Sequence, residues 1–373
     1  MKSDSILGEL KNLEIKNNLA DELNMQTLPL VMWGAGEMAE EVNFYLKKHN
    51  IFLADIVVDD EYYSKSLIFD GKLVLSFSML EKKYPQVNII LGHSVYEKRI
   101  ILEQFAFINK VFCLSSYVYG MYEKVPMAEI EDHIDEYKTT GEIFADEMSF
   151  QCYMAFLKTK VSGDNSYIFE VFRKENNYFN NEIFKVNDNE VFVDIGAYDG
   201  DTIRLFMKEN KGQYKHVYAI EPDDISRKNL ENYIFAKNLK RVTISGSIPW
   251  KENGKLYFVT NENRQLSRLI FSKMGRKDGV KNYIKAEPLD EMFQYRERVS
   301  LIKINYLEGV KEALEGAENI LKEHKPKLAI TVGFDIENIK NIPILLNRIN
   351  PDYRLYLRFN HAITSALTCY GII

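Results

Sequence analysis

The stretch Glu190-Val-Phe-Val-Asp-Ile-Gly-Ala-Tyr-Asp-Gly-Asp-Thr202 decides the fold of the second half of the chain. It begins with a short β-branched and aromatic run, Val191 to Ile195, which predicts a buried parallel strand. Gly196 and Gly200 predict a tight loop, and Thr202 lies in the cap region of a following helix. A strand, a glycine-rich turn and a helix in this order indicate a nucleotide-binding site.

The charge of this loop narrows the class of nucleotide. A dinucleotide pyrophosphate prefers backbone amides and a helix N-terminus free of like charge. This loop instead carries Asp194, Asp199 and Asp201 and no basic residue. S-adenosylmethionine fits better, because its ammonium and sulfonium groups outweigh its carboxylate. We expect Asp194 to hold the amino group and Gly196 to let the backbone approach the methionine part.

The strands that follow supply the other half of this site. His216 to Ile220 predicts a second strand, and Glu221 at its end is placed to accept the two ribose hydroxyls of a nucleoside. Arg241 to Ser245 predicts a third strand, and the residues after it lie where a doubly wound fold places an adenine ring. The predicted cofactor-binding residues are Asp194, Gly196, Tyr198, Asp199, Glu221, Pro222 and Ser247.

Two of these motifs together resemble a known family. Asp194-Ile-Gly-Ala-Tyr-Asp-Gly-Asp-Thr202 and Tyr218-Ala-Ile-Glu-Pro222 are similar to the FkbM-type methyltransferases, and the likeness extends over roughly residues 140 to 373. Such enzymes are typically bacterial and move a methyl group from S-adenosyl-L-methionine to a hydroxyl. The resemblance implies an α/β fold with the class I methyltransferase Rossmann-like doubly wound sheet. It also implies O-methylation of a sugar or nucleotide-sugar hydroxyl, which is a carbohydrate modification.

Length and composition bound the other features of the protein. A chain of 373 residues suggests two domains. The net charge of −6 argues against a nucleic-acid partner, which needs a basic face. No apolar run approaches about 18 residues, so we expect no membrane segment and a cytoplasmic protein. Three widely separated cysteines, Cys113, Cys152 and Cys369, predict reduced packing residues rather than a zinc site.

A second glycine-rich turn lies near the N-terminus. Leu28 to Ala39 predicts a strand, a Gly34-Ala-Gly36 turn and a helix, and Leu53 to Asp60 predicts a strand that ends in acids. The segment resembles the nucleotide-sugar-binding N-terminal domain of bacterial sugar acetyltransferases, which implies a nucleotide sugar at Gly34, Gly36 and Asp59. Because Glu37 stands where phosphate would lie, a purely structural or assembly role stays open.

These patterns divide the chain into three parts. We predict a smaller Rossmann-like α/β domain over residues 1–118, a helical bridge over 119–189 and the methyltransferase domain over 190–373. Residues 5 to 23 predict one amphipathic helix that packs on its own domain, with a homodimer contact as the alternative. In the bridge, Tyr167, Tyr178 and Phe179 are interpreted either as core residues or as substrate contacts.

The fourth predicted strand of the second domain departs from the family pattern. A signature like Lys-Ile-Asp-Ile-Glu-Gly-Ala-Glu becomes Lys303-Ile-Asn-Tyr-Leu-Glu-Gly-Val310, so three of its acidic positions are Asn305, Leu307 and Val310. Two family histidine positions are Phe334 and Phe359. General-base help to a hydroxyl is worth about 10²–10⁴-fold, and divalent ions need several hard or imidazole ligands. We therefore predict no catalytic metal here and a weakened acceptor site.

Two residues offer a partial replacement for the lost groups. His361 lies two residues beyond Phe359 and is predicted, with Asn305, as a catalytic residue. Asp335 is one residue past a lost histidine and is a candidate substitute acid. For both His361 and Asp335, an ordinary structural role is the alternative.

Three functions remain in view. The leading hypothesis is an S-adenosylmethionine-dependent O-methyltransferase that acts on a small-molecule acceptor, a sugar or nucleotide sugar. The main alternative is a catalytically degenerate module that binds the cofactor or assembles with a glycan-modifying enzyme. The weakest is an NAD-dependent oxidoreductase that uses the Gly34 turn, since no Tyr-Lys or His-Asp constellation accompanies it.

Overall fold

The computed structural model describes all residues except 1–4, 17–18, 94–95, 115–123, 174–176, 180–181, 259–281, 295–296, 307–308, 334 and 361–365. The helices are α1 (Ile6–Lys11), α2 (Leu19–Asn24), α3 (Glu37–Lys48), α4 (Phe77–Lys83), α5 (Tyr96–Leu102), α6 (Met127–Asp132), α7 (Ile134–Ile143), α8 (Glu147–Ser162), α9 (Ser166–Val171), α10 (Asp201–Glu209), α11 (Asp224–Ala236), α12 (Leu289–Met292), α13 (Val310–Glu315) and α14 (Ile336–Ile349). The strands are β1 (Leu30–Trp33), β2 (Asp55–Val58), β3 (Ile68–Phe69), β4 (Lys72–Leu73), β5 (Leu75–Ser76), β6 (Val87–Leu91), β7 (Ile108–Cys113), β8 (Val191–Ile195), β9 (His216–Ile220), β10 (Val242–Ser245), β11 (Ile248–Pro249), β12 (Gly254–Phe258), β13 (Asn282–Glu287), β14 (Leu301–Ile304), β15 (Lys327–Thr331), β16 (Arg354–Phe359) and β17 (Leu367–Ile372).

The chain forms two compact units. The N-terminal unit comprises residues 14–124 and 162–164, and the C-terminal unit comprises residues 1–13, 125–161 and 165–373. The first 13 residues therefore belong with the second half of the chain, which differs from the predicted boundary at residue 118. Among the described helices, none is long and apolar enough to cross a membrane.

The N-terminal unit is built on a five-stranded sheet in the order β5-β2-β1-β6-β7. All of its strand pairs are parallel. β1, β2 and β6 are short apolar runs, and apolar clusters cover both faces of this sheet. The predicted Rossmann-like arrangement of strand, glycine turn and helix is therefore present, with Gly34 after β1 and α3 beginning at Glu37.

The C-terminal unit is built on a seven-stranded sheet in the order β10-β9-β8-β14-β15-β17-β16. β17 runs antiparallel to both of its neighbours, and the other pairs are parallel. The chain order reverses between β8 and β14, so the carboxyl ends of these two strands form the topological switch point. This topology confirms the predicted doubly wound sheet.

The predicted helical bridge is part of the C-terminal core rather than a separate layer. Tyr153 and Phe156 of α8 are fully buried in the same apolar cluster as Val193 of β8. Ile6 and Leu10 of α1 belong to this cluster too, because the chain breaks the predicted N-terminal helix into α1 and α2 and places them in different units. On the opposite face of the sheet, Phe179 is also fully buried, which assigns it to the core.

Two charged residues near the end of the sheet have structural roles. Arg358 is only 3% exposed, because its guanidinium group pairs with Asp146 and Glu182, at 2.7 Å and 2.6 Å, and donates to the Ser149 hydroxyl. These contacts connect the start of α8 to β16. Asp335, the predicted substitute acid, caps α14 by accepting the amide of Asn338 at 2.6 Å.

Candidate functional site

The loop between β8 and α10 contains alternating left-handed residues. Gly196, Tyr198 and Gly200 have φ angles of 76°, 47° and 90°. A Cβ atom at Gly196 would lie 2.3 Å from the carbonyl oxygen of Asn305, so the two strand ends meet at a distance that only glycine permits. The amides of Gly196 and Ala197 both donate to the carbonyl of Ile220, which ties the loop to β9.

Tyr198 is an unusual residue to find in a left-handed conformation. Among the described non-glycine residues with positive φ it is the one aromatic residue, and the others are Asn50, Asp70, Lys211, Asn238, Arg241 and Lys325. A bulky side chain in this region costs about 1–2 kcal/mol. The residue is 43% exposed. Strain of this kind clusters at functional sites, and a role of Tyr198 in cofactor binding stays a prediction.

Glu221 is fixed at the carboxyl end of β9. One carboxylate oxygen accepts the amide of Tyr198 at 2.8 Å, and the other accepts the amide of Asp223 at 2.8 Å. The residue is 7% exposed, and this burial raises the pKa of Glu221 to about 7, while the two amides oppose the rise. A carboxylate held in this way is preorganised to accept further hydrogen bonds when it is ionised.

Asp194 lies beneath the loop rather than on its surface. It is fully buried, and its Oδ1 is 2.9 Å from Nζ of Lys303 in the adjacent strand. Burial raises the pKa of Asp194 to about 6, and the ammonium group of Lys303 opposes this rise. Oδ2 of Asp194 has no hydrogen-bond donor among the described residues. Direct binding of a cofactor amino group by Asp194 stays a prediction, and in this arrangement Oδ2 is the atom left for it.

Lys303 is the residue of this site that sequence reasoning missed. It is fully buried in β14, directly opposite Asp194 in the strand register, and its Nζ also donates to the carbonyl of Gly196 at 3.0 Å. The signal was present in Leu301-Ile-Lys-Ile304, since a lysine inside a short apolar strand needs a buried acid as partner. That partner lies more than a hundred positions earlier in the chain.

The other predicted cofactor residues lie around this centre. The Asp199 carboxylate forms an ion pair with Arg204 of α10 at 2.7 Å. Ser247 is buried just past β10, and its hydroxyl is 2.7 Å from that of Ser245. The carbonyl of Pro222 accepts a hydrogen bond from Arg227 at 3.1 Å. The structure thus links Tyr198 to the carboxylate of Glu221 and Gly196 to the carbonyl of the preceding Ile220, and it leaves Asp199, Pro222 and Ser247 at the periphery.

The acceptor side of the site is described only in part. The amide of Asn305 donates to the carbonyl of Ile195 at 2.9 Å, which fixes its backbone beside the loop. Val310 and Phe359 are buried apolar residues, whereas His361, Leu307 and Phe334 lie outside the described residues. In the described part of the chain, no group of three or more His, Cys, Asp or Glu side chains is placed to hold a metal ion. The catalytic roles of Asn305 and His361 stay predictions.

The N-terminal unit carries a second candidate site. Gly34, with φ of 122°, follows β1, and a Cβ atom there would lie 3.1 Å from the carbonyl oxygen of Gly92. Asp59 follows β2 and accepts the indole N–H of Trp33 at 3.3 Å, and it also pairs with Lys98. Gly36 has no close neighbour, so its lack of a side chain is not required by packing. The structure brings Gly34 and Asp59 to adjacent strand ends, and a ligand there stays a prediction.

Comparisons with known proteins agree with this fold. Residues 194–359 match the family model described as the Methyltransferase FkbM domain. The crystal structure of Methyltransferase FkbM from Methylobacillus flagellatus KT is similar over 99% of both chains, with a TM-score of 0.67 and 20% sequence identity. No curated protein matches the chain significantly.

More distant structural similarities cover about half of the chain. An rRNA methylase from Streptococcus thermophilus covers 50% of this chain and 87% of its own, at 18% identity and a TM-score of 0.31. A putative methyltransferase from Streptococcus mutans in complex with SAH covers 50% and 91%, at 14% identity and a TM-score of 0.31. The family match and the fold together support a methyltransferase, and within that class the matched segment is similar to the FkbM domain.

Proposed function

We propose that this protein transfers a methyl group from S-adenosylmethionine to a hydroxyl of a sugar or nucleotide sugar. The observation that carries the proposal is the Glu221 carboxylate at the carboxyl end of β9. Both of its oxygens are fixed by backbone amides. The adjacent loop, residues 196–200, contains no basic residue. The position suits the ribose hydroxyls of an adenosine group.

The described residues fit this cofactor. Oδ2 of Asp194 lacks a donor among the described residues, and an ammonium group would satisfy it. Glu221 would hold the ribose, the Gly196 backbone and Asp194 would hold the amino-acid end, and Ser247 lies after the strand that borders the adenine position. S-adenosylmethionine supplies an electrophilic methyl group when it is bound. The protein's own contribution is to hold and orient the two reactants, which can supply a large part of a rate enhancement.

Removal of the acceptor proton is the weakest part of the proposed reaction. Asn305 carries a neutral amide that cannot act as a general base at ordinary pH. The favoured acceptor is therefore one that is activated by positioning or by a low pKa of its own, with His361 as the predicted base. The same amide supports the alternative, a module that binds the cofactor without turnover. Methyl transfer to a panel of UDP-sugars, followed by mass spectrometry, separates the two.

Binding of S-adenosylhomocysteine is expected to depend on pH through Glu221. The acid is ionised above its pKa of about 7 and accepts ribose hydroxyls in that form, so the affinity is present at pH 8 and falls as the pH decreases. From pH 8 to pH 6 the dissociation constant should rise about tenfold. Titration calorimetry at both pH values measures the change. The Glu221→Gln variant should bind S-adenosylhomocysteine weakly at both pH values. Glu231 is exposed on α11, so the Glu231→Gln variant should keep the wild-type pH dependence.

An absence of heat with S-adenosylhomocysteine at millimolar concentration and pH 8 would overturn the proposed cofactor. A pH dependence that persists unchanged in Glu221→Gln would show that it does not arise from Glu221.

A nucleotide sugar is expected to stabilise the N-terminal unit. If Gly34 and Asp59 bind one, UDP-sugars should raise the melting temperature and NAD should not. A ligand at one hundred times its dissociation constant adds about 2.7 kcal/mol to the folded state. Thermal shift measurements on wild type and Asp59→Ala test this. Equal shifts for all nucleotides, or a UDP-sugar shift that survives in Asp59→Ala, would leave this unit with a structural role.

A further inference from the structure

Lys303 makes two contacts that meet at the turn of the candidate cofactor loop. Its Nζ is 2.9 Å from Oδ1 of Asp194 and 3.0 Å from the carbonyl oxygen of Gly196. Both Lys303 and Asp194 are fully buried, so neither charge is screened by solvent. The ammonium group is therefore a fixed cation beneath the loop, and it sets the orientation of the Gly196 peptide.

The same contacts define what remains available above Lys303. Asp194 uses Oδ1 for the ion pair, and its Oδ2 has no donor among the described residues. The Gly196 carbonyl has a second lone pair besides the one that faces Lys303. Asp194 and the Gly196 carbonyl are thus held at the end of β8 by one fully buried lysine. An ammonium ligand is the complement of this pair of acceptors.

A purely structural ion pair exists in the same sheet for comparison. Glu190, fully buried just before β8, pairs with Lys327 at the start of β15 at 2.5 Å. Its remaining oxygen accepts the hydroxyl of Ser300, and the amide of Asn187 also donates to the carboxylate. The Glu190 carboxylate is saturated at the amino edge of the sheet, whereas the Asp194 carboxylate is left with an unused oxygen at the carboxyl edge.

We propose that Lys303 is a positioning residue for the amino-acid end of the bound cofactor, acting through Asp194 and the Gly196 carbonyl. The inference rests on the proposed function, because it assumes that S-adenosylmethionine occupies the loop. Lys303 does not touch the cofactor in this proposal. It holds the two acceptors that receive the cofactor ammonium, so its removal should affect only ligands that carry that group.

The test compares two ligands that share the nucleoside part. S-adenosylhomocysteine carries the amino-acid end, and 5′-methylthioadenosine lacks it. In wild type, S-adenosylhomocysteine should bind more tightly. In Lys303→Met, this preference should fall by about tenfold or more, because charged hydrogen bonds to the ammonium lose their geometry. The dissociation constant of 5′-methylthioadenosine should change by less than about threefold, because its contacts are to Glu221.

Lys327→Met is the matched control. It also strips a buried acid of its lysine partner, and it should lower stability without changing the ratio of the two dissociation constants. If Lys303→Met does not fold, the double variant Asp194→Asn/Lys303→Met removes both charges, and the preference should again be lost.

The outcomes separate this inference from the proposed function. Equal weakening of both ligands in Lys303→Met, or a wild-type ratio in the double variant, would overturn the positioning role and leave the cofactor assignment intact. Failure of wild type to bind either ligand would overturn the proposed function and the inference with it.

Discussion

Gly196→Ala is expected to lower the free energy of unfolding by about 3 kcal/mol. The left-handed conformation, with φ of 76°, costs an alanine about 1–2 kcal/mol. The added Cβ would also lie 2.3 Å from the Asn305 carbonyl oxygen, and relief of such overpacking typically costs a further 1–3 kcal/mol, roughly. Denaturant unfolding followed by circular dichroism measures the change.

Gly212→Ala is the matched control for this experiment. Gly212 has a similar φ of 72°, but nothing lies within 4 Å of the position of an added Cβ. The control should therefore cost only the conformational part, about 1 kcal/mol. Equal losses in the two variants would show that the β8 and β14 strand ends do not meet as closely as described.

Arg358→Met is expected to lower the free energy of unfolding by about 1–3 kcal/mol, the usual cost of removing one partner from charged hydrogen bonds. Asp146 and Glu182 lose the same cation, but their side chains are 34% and 62% exposed, so water offsets part of the loss. The Ser149 hydroxyl would keep its bond to the amide of Leu357, so the loss is electrostatic rather than a general loss of contacts. Denaturant unfolding again provides the measurement.

Arg354→Met provides the comparison on the same strand. Arg354 is exposed and stacks over the ring of Tyr356, an interaction worth about 0.5–1 kcal/mol. A loss below that level at Arg354 together with a large loss at Arg358 is the expected pattern. If Arg358→Met costs no more than Arg354→Met, the guanidinium group does not fasten α8 to β16.

The central sheet could be predicted from sequence because its signals are local. β8 and β9 are short apolar runs next to glycines or acids, and each pattern lies within about ten residues. The likeness of Asp194–Thr202 to a known family then fixed the strand order, which local patterns alone leave open. The resulting doubly wound sheet is confirmed by the topology and by the full-length structural match.

The interior charges could not be predicted in the same way. Lys303 and Arg358 are buried because acids far away in sequence, Asp194 and Asp146, reach them in the folded chain. Burial of a charge depends on its partner, and no local pattern reveals a partner at that distance. The loop residues Gly196 and Tyr198 were selected from sequence, but the close approach of Asn305 to Gly196 required the structure.

The grouping of the first 13 residues with the second half of the chain was not predictable for a related reason. The periodic apolar pattern over residues 5 to 23 predicts a helix, but it does not show which apolar core the helix packs against. In the structure Ile6 and Leu10 pack with residues from beyond position 125, whereas Leu19 and Leu23 pack in the N-terminal unit. The assignment of a helix to a core is a nonlocal property, like the partner of a buried charge.

The division of the chain also affects the order in which the protein folds during synthesis. The N-terminal unit is nearly continuous in sequence, from residue 14 to residue 124, and its two ends are joined where Lys124 donates to the carbonyl of Lys16 at 2.7 Å. The N-terminal unit is therefore an insertion in the sequence of the C-terminal unit, and it can begin to fold as soon as it has left the ribosome. Ile6 and Leu10 are translated first, yet the residues with which they pack lie beyond position 125, so these two side chains can be buried only after the whole N-terminal unit has been synthesised.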